Sequence, residues 1–91
     1  MHKFNFLICY DISDEKRLRK VAKELEKVSI RIQKSIFYYP DASKDEITIL
    51  VEALDNIISK DEDDIRIYKI DINHSLNLKS GIDLNNPNIL E

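Results

Sequence analysis

Ile30-Arg31-Ile32-Gln33-Lys34-Ser35-Ile36-Phe37-Tyr38-Tyr39 is the stretch on which the fold turns. Its β-branched and aromatic residues suit extended chain. Alternation places Ile30, Ile32, Lys34, Ile36 and Tyr38 on one side, and Arg31, Gln33, Ser35, Phe37 and Tyr39 on the other. Both sides are mixed in character, which points to a bend near Lys34-Ser35. The pattern admits one kinked strand or two short ones, and the choice sets the topology.

Upstream, Phe4 to Tyr10 is a continuous apolar run of the kind a buried strand presents, and it ends on Asp11. A helix is expected from about Asp14 to Val28. Leu18, Val21, Ala22, Leu25 and Val28 form its apolar face, Ser13 is placed to cap it, and Asp14 and Glu15 suit its positive end. Downstream, Pro40-Asp41-Ala42 reads as a turn, and Ser43-Lys44-Asp45-Glu46 as a capping box. The second helix then runs to about Ser59 with Ile47, Leu50, Val51, Leu54, Ile57 and Ile58 inward. Lys60 to Asp64 reads as a charged loop whose acids are solvated, and Ile65 to Ile72 as an alternating strand with one face partly wet. The expectation is an α+β fold, with residues 1–73 as the domain and 74–91 as a C-terminal arm against the domain or a partner. With two strands in the middle segment, the order becomes βαββαβ, that of a ferredoxin-like sandwich with two helices on one face of an antiparallel sheet.

Ninety-one residues support one domain, and a chain this short buries only about 60–65% of the surface its unfolded form exposes. Oligomerisation is a natural further source of stability. The 43% hydrophobic and 34% charged content fits a soluble globular domain. No apolar run approaches the roughly 20 residues of a membrane span, and the start lacks the marks of a secretory signal. With Cys9 as a lone thiol inside an apolar run, a cytoplasmic location is expected. Net charge is −3, but it is unevenly distributed. Lys16 to Lys34 holds eight basic residues against Glu24 and Glu26, whereas Asp41 to Asp64 holds nine acids against Lys44 and Lys60.

A phosphate-binding glycine loop is excluded, because Gly81 is the only glycine. Cys9, His2 and His74 do not make a zinc site by spacing. Asp11 is the residue to watch. A carboxylate where a buried strand opens into a loop can form a local turn, or hold a hard cation such as magnesium, which keeps several waters and needs one or two protein carboxylates. The neighbouring basic cluster includes Arg17, Arg19 and Arg31, whose forked guanidinium matches phosphate geometry. A solvated helix face is the plain alternative. Tyr10, Phe37, Tyr38 and Tyr39 lie close in sequence, as core or dimer contacts or as platforms for bases.

Tyr10-Asp11-Ile12-Ser13-Asp14, Arg17, Lys20-Val21-Ala22, Arg31-Ile32-Gln33-Lys34-Ser35-Ile36-Phe37 and Asp64-Ile65-Arg66-Ile67-Tyr68, in this order and at this length, carry a family pattern. It resembles the small CRISPR-associated protein of spacer acquisition, the Cas-two family, over residues 3 to 72. The resemblance implies a ferredoxin-like homodimer with Asp11 of each protomer as a magnesium ligand near the twofold axis. It implies a metal-dependent endonuclease acting on single-stranded RNA or double-stranded DNA. It also implies a scaffold that binds duplex DNA and bridges the adaptation integrase. Tyr10, Arg17, Arg19, Arg31 and Phe37 match positions tied to activity or nucleic-acid binding. Two readings compete with the nuclease: a scaffold in which Asp11 is structural and the integrase does the chemistry, and a ferredoxin-like regulator that binds a small molecule.

Overall fold

A computed structural model describes residues 2–71. The order is β1 (Lys3–Asp11), α1 (Glu15–Glu26), β2 (Ile30–Gln33), β3 (Ile36–Ser43), α2 (Lys44–Asp55) and β4 (Asp64–Ile70). The middle segment is therefore two strands. Lys34-Ser35 form the turn between them, with Ser35 in the left-handed region at φ 68°. For a residue with a Cβ that conformation costs roughly 1–2 kcal/mol. The Ser35 carbonyl accepts a hydrogen bond from the Tyr10 amide at 3.1 Å, which ties the turn to the end of β1.

The four strands lie in the order β2-β3-β1-β4, and every neighbouring pair is antiparallel. This is the βαββαβ ferredoxin-like sandwich. Strand β1 is central, so its apolar run is explained by burial on both faces. Phe6, Ile8, Tyr10 and Ile12 pack with Phe37 and Tyr39 against Val21 and Leu25 of α1 and Leu50 and Leu54 of α2. Both helices thus cover one face. Leu7, Ile36 and Ile70 form a second cluster, with Cys9, Tyr38 and Tyr68 packed against it. The period of two along β1 and β3 assigns this cluster to the opposite face.

Several boundaries move for local physical reasons. Asp14 caps α1 by accepting the Arg17 amide, while the Ser13 hydroxyl turns to Asp63 and Glu62. Pro40-Asp41-Ala42 is not a turn but part of β3. Pairing of β1 with β3 shifts register between Phe4 and Phe6. There the Asn5 side chain accepts from the Asp41 amide at 3.0 Å, with Asp41 at φ 56°. A bulge of this kind tolerates proline, which has no amide to donate. The capping box at Ser43 and Glu46 forms in both directions. Val28, past the end of α1, and Val51, within α2, both expected inward, are exposed. The expected arm, residues 74–91, lies outside the described residues.

Candidate metal and nucleic-acid site

Asp11 is the last residue of central strand β1 and is exposed. Its cross-strand partner is Asp64, the first residue of β4. Two like charges directly opposite one another repel. Asp64 is offset by Arg66, whose Nε donates to it at 2.9 Å. Among the described residues, no cation pairs with Asp11. Continuing the register, Cys9 faces Arg66, so Cys9, Asp11, Asp64 and Arg66 share the face away from the helices. Burial pushes the Cys9 thiol up, which makes it a poor nucleophile near neutrality.

The donor set fits a hard cation: exposed carboxylate oxygen from Asp11, with a second carboxylate in register. No group of three metal-ligating side chains occurs among the described residues. The described residues here offer a pair of carboxylates, which suits magnesium that keeps its waters.

Tyr10, Phe37 and Arg31 form a single stack. The Tyr10 and Phe37 rings lie 6.1 Å apart at 27°, and the Arg31 guanidinium sits 4.8 Å above the Phe37 ring. Register explains it, because Arg31 is the cross-strand partner of Phe37. Phe37 is 0% exposed and Tyr10 only 7%. Both rings are packed in the core under the helices, with no open ring face. Arg31 is exposed and remains available, oriented by the cation–π contact beneath it.

Arg17 is held by two carboxylates. Its Nε and Nη2 grip Asp63 at 2.7 and 3.1 Å, and Nη2 meets Glu62 at 3.2 Å. The Asp63 side chain has no exposed surface. It accepts further bonds from the Ser13 amide at 3.1 Å, the Ser13 hydroxyl at 3.2 Å and the Ser59 amide at 2.8 Å. Arg17 above all, aided by these amides, holds the Asp63 carboxyl well below the usual carboxylate range despite desolvation. Along the chain Asp63 looks like its acidic neighbours. Its partner stands 46 positions away, and no spacing rule reaches that far.

Arg19 bonds only Glu15, at 3.4 Å, with both side chains largely exposed. Such a pair is worth little. Lys16, Lys20 and Lys23 are likewise exposed along α1.

The profile of the CRISPR associated protein Cas2 matches residues 4–77, which takes in both helices and all of the described sheet but its first residue. The chain belongs to the Cas2 family. It is 34% identical to a CRISPR-associated endonuclease Cas2 of Halalkalibacterium halodurans, over 89% of this chain and 94% of that one. With a CRISPR-associated endoribonuclease Cas2 of Synechocystis it shares 37% identity, over 71% of this chain and 70% of the relative. A chain of a solved partial Cas6-RT-Cas1–Cas2 complex superposes with a TM-score of 0.70 at 30% identity, over 94% of this chain and 90% of that one. The Cas2 profile spans all six residues singled out from the sequence and also Asp63 and Asp64. No helix among the described residues is long and apolar enough to cross a membrane.

Proposed function

We propose that this Cas2-family chain serves CRISPR adaptation as a homodimer that binds duplex DNA, bridges the spacer integrase and carries a magnesium-dependent phosphodiesterase site at Asp11. The observation that carries this reading is the placement of an exposed, unpaired carboxylate on the central strand of a domain whose first helix exposes Lys16, Arg19, Lys20 and Lys23. Acid and cations are neighbours in sequence. Asp11 would hold the magnesium ion, with Asp64 able to contribute an oxygen. Bound there, magnesium supplies Lewis acidity toward a phosphate oxygen and lowers the pKa of a coordinated water. The chain's own residues do the rest: Arg19, Arg31 and the α1 lysines hold the phosphate backbone by charge, without reading sequence.

The names of relatives support nuclease activity, one being an endoribonuclease and another an endonuclease. The solved complex in which a similar chain stands with Cas1 supports an integrase partner. A second copy is supported by the open sheet face, where Tyr38 and Tyr68 lie over the Leu7, Ile36 and Ile70 cluster. A site needing carboxylates from more than one chain fits the same arrangement.

Salt dependence of binding to a short duplex tests the surface half of this reading. Neutralising Arg19, Arg31, Lys16 and Lys20 together should flatten the slope of log affinity against log salt by about 0.9 per lost contact, equally for unrelated sequences. An unchanged slope would mean the duplex binds elsewhere. A pure scaffold differs only at Asp11, so cleavage rather than binding separates it from the nuclease.

A further inference from the structure

The densest polar cluster lies beside Asp11 and outside the groups that would touch metal or phosphate. Asp63 receives the Arg17 fork, the Ser13 amide and hydroxyl, and the Ser59 amide. Ser13 is two residues beyond Asp11, and Asp63 is one residue before Asp64. The cluster therefore joins the loop leaving β1 to the loop entering β4, immediately past the point where two carboxylates face each other in register. Their repulsion would splay the strand ends. A two-pronged guanidinium–carboxylate contact opposes that with fixed geometry as well as charge.

We infer that Arg17 and Asp63 are positioning residues, a clamp that sets the Asp11 carboxylate opposite Asp64, and that Arg17 acts through Asp63 rather than by meeting phosphate. The inference rests on the reading of Asp11 as a metal ligand and names what holds that ligand in place. Arg17 is the one arginine of α1 whose charge is already matched by a carboxylate without exposed surface. Glu62, 63% exposed at its side chain, is a peripheral member.

The test uses the full chain as wild type, Asp63→Asn, Arg17→Ala, their double variant and Glu62→Gln as a control. Hydrogen exchange read by mass spectrometry reports the loop at residues 12–14 against the body of β1. Paramagnetic resonance of manganese(II) reports metal affinity without any cleavage assay, and the salt slope of duplex binding reports phosphate contacts. The clamp predicts faster exchange confined to residues 12–14 in both single variants, with β1 as protected as in wild type. It predicts manganese affinity reduced roughly tenfold or more, no further loss in the double variant, and wild-type behaviour in Glu62→Gln. The salt slope of Arg17→Ala should stay unchanged. A slope smaller by about one would return Arg17 to the phosphate surface and overturn the inference. So would unaltered loop exchange in Asp63→Asn. If Asp63→Asn fails to fold, Arg17→Ala keeps the carboxylate and its amide contacts and decides by the same readouts. Absence of manganese binding by wild type would refute the metal reading, while loop exchange would still judge the clamp.

Discussion

At the residue scale, burial separates what sequence alone groups together. Phe37 and Arg31 are cross-strand partners, yet one is sealed and the other open. Phe37→Ala should destabilise the fold by about 3–5 kcal/mol in urea denaturation and weaken duplex binding chiefly through loss of the platform under Arg31. A base-stacking Phe37 would instead show weakened binding with stability nearly intact. Asp63 gives a pH signature. Its folded-state pKa is depressed, first by Arg17, so its contribution is present above the unfolded value near pH ~4 and fades as the pH falls below it. Wild type should therefore lose thermal stability on acidification more steeply than Asp63→Asn, with the two curves converging at low pH. Parallel curves would contradict the depressed carboxyl. The position of Asp11 at the end of β1 was legible because the apolar run before it is a local signal. The clamp was not, since the pairing of residues 17 and 63 exists only once β1 and β4 are neighbours.

At the element scale, the helices read well and the strand irregularities did not. The apolar period of α1 and α2 found Val21, Leu25, Leu50 and Leu54, all buried. The Ser43 capping box was visible as a four-residue pattern because caps are local. Ser43→Ala should cost about 1 kcal/mol, measured by thermal or urea unfolding, and an effect near zero would mean the box is not holding α2. Pro40-Asp41 looked like a turn for sound local reasons, but Asn5 from the neighbouring strand satisfies the Asp41 amide and lets β3 continue. Tertiary context overrode local propensity there. The division of residues 30–39 into two strands was likewise open in the alternation alone. The Lys34-Ser35 turn closes it, held by the Tyr10 amide from outside the hairpin. The basic face of α1 is an element-scale property too, since charge on Lys16, Arg19, Lys20 and Lys23 acts as a strip rather than as separate contacts.

At the scale of the whole molecule, the βαββαβ order brings the end of β1, the turn after β2 and the start of β4 to one end of the sheet, with α1 beginning beside them. The proposed function uses that convergence, with the Asp11 carboxylate as metal ligand and the basic strip of α1 as phosphate surface. In the proposed homodimer, a second copy would add buried surface that a chain of this size lacks. Native mass spectrometry at micromolar concentration should show a dimer, and removal of residues 74–91 should weaken it; a monomer would contradict the assembly. In the proposed function Asp11 holds the metal for phosphodiester cleavage while the basic surface binds independently. The most direct test is Asp11→Asn against wild type, assayed in the same samples for magnesium-dependent cleavage of single-stranded RNA and duplex DNA and for duplex binding. Cleavage should fall to the level of wild type without magnesium, with binding unchanged or slightly tighter because a negative charge beside phosphates has gone. Cleavage persisting in Asp11→Asn at the same magnesium concentration would contradict the account.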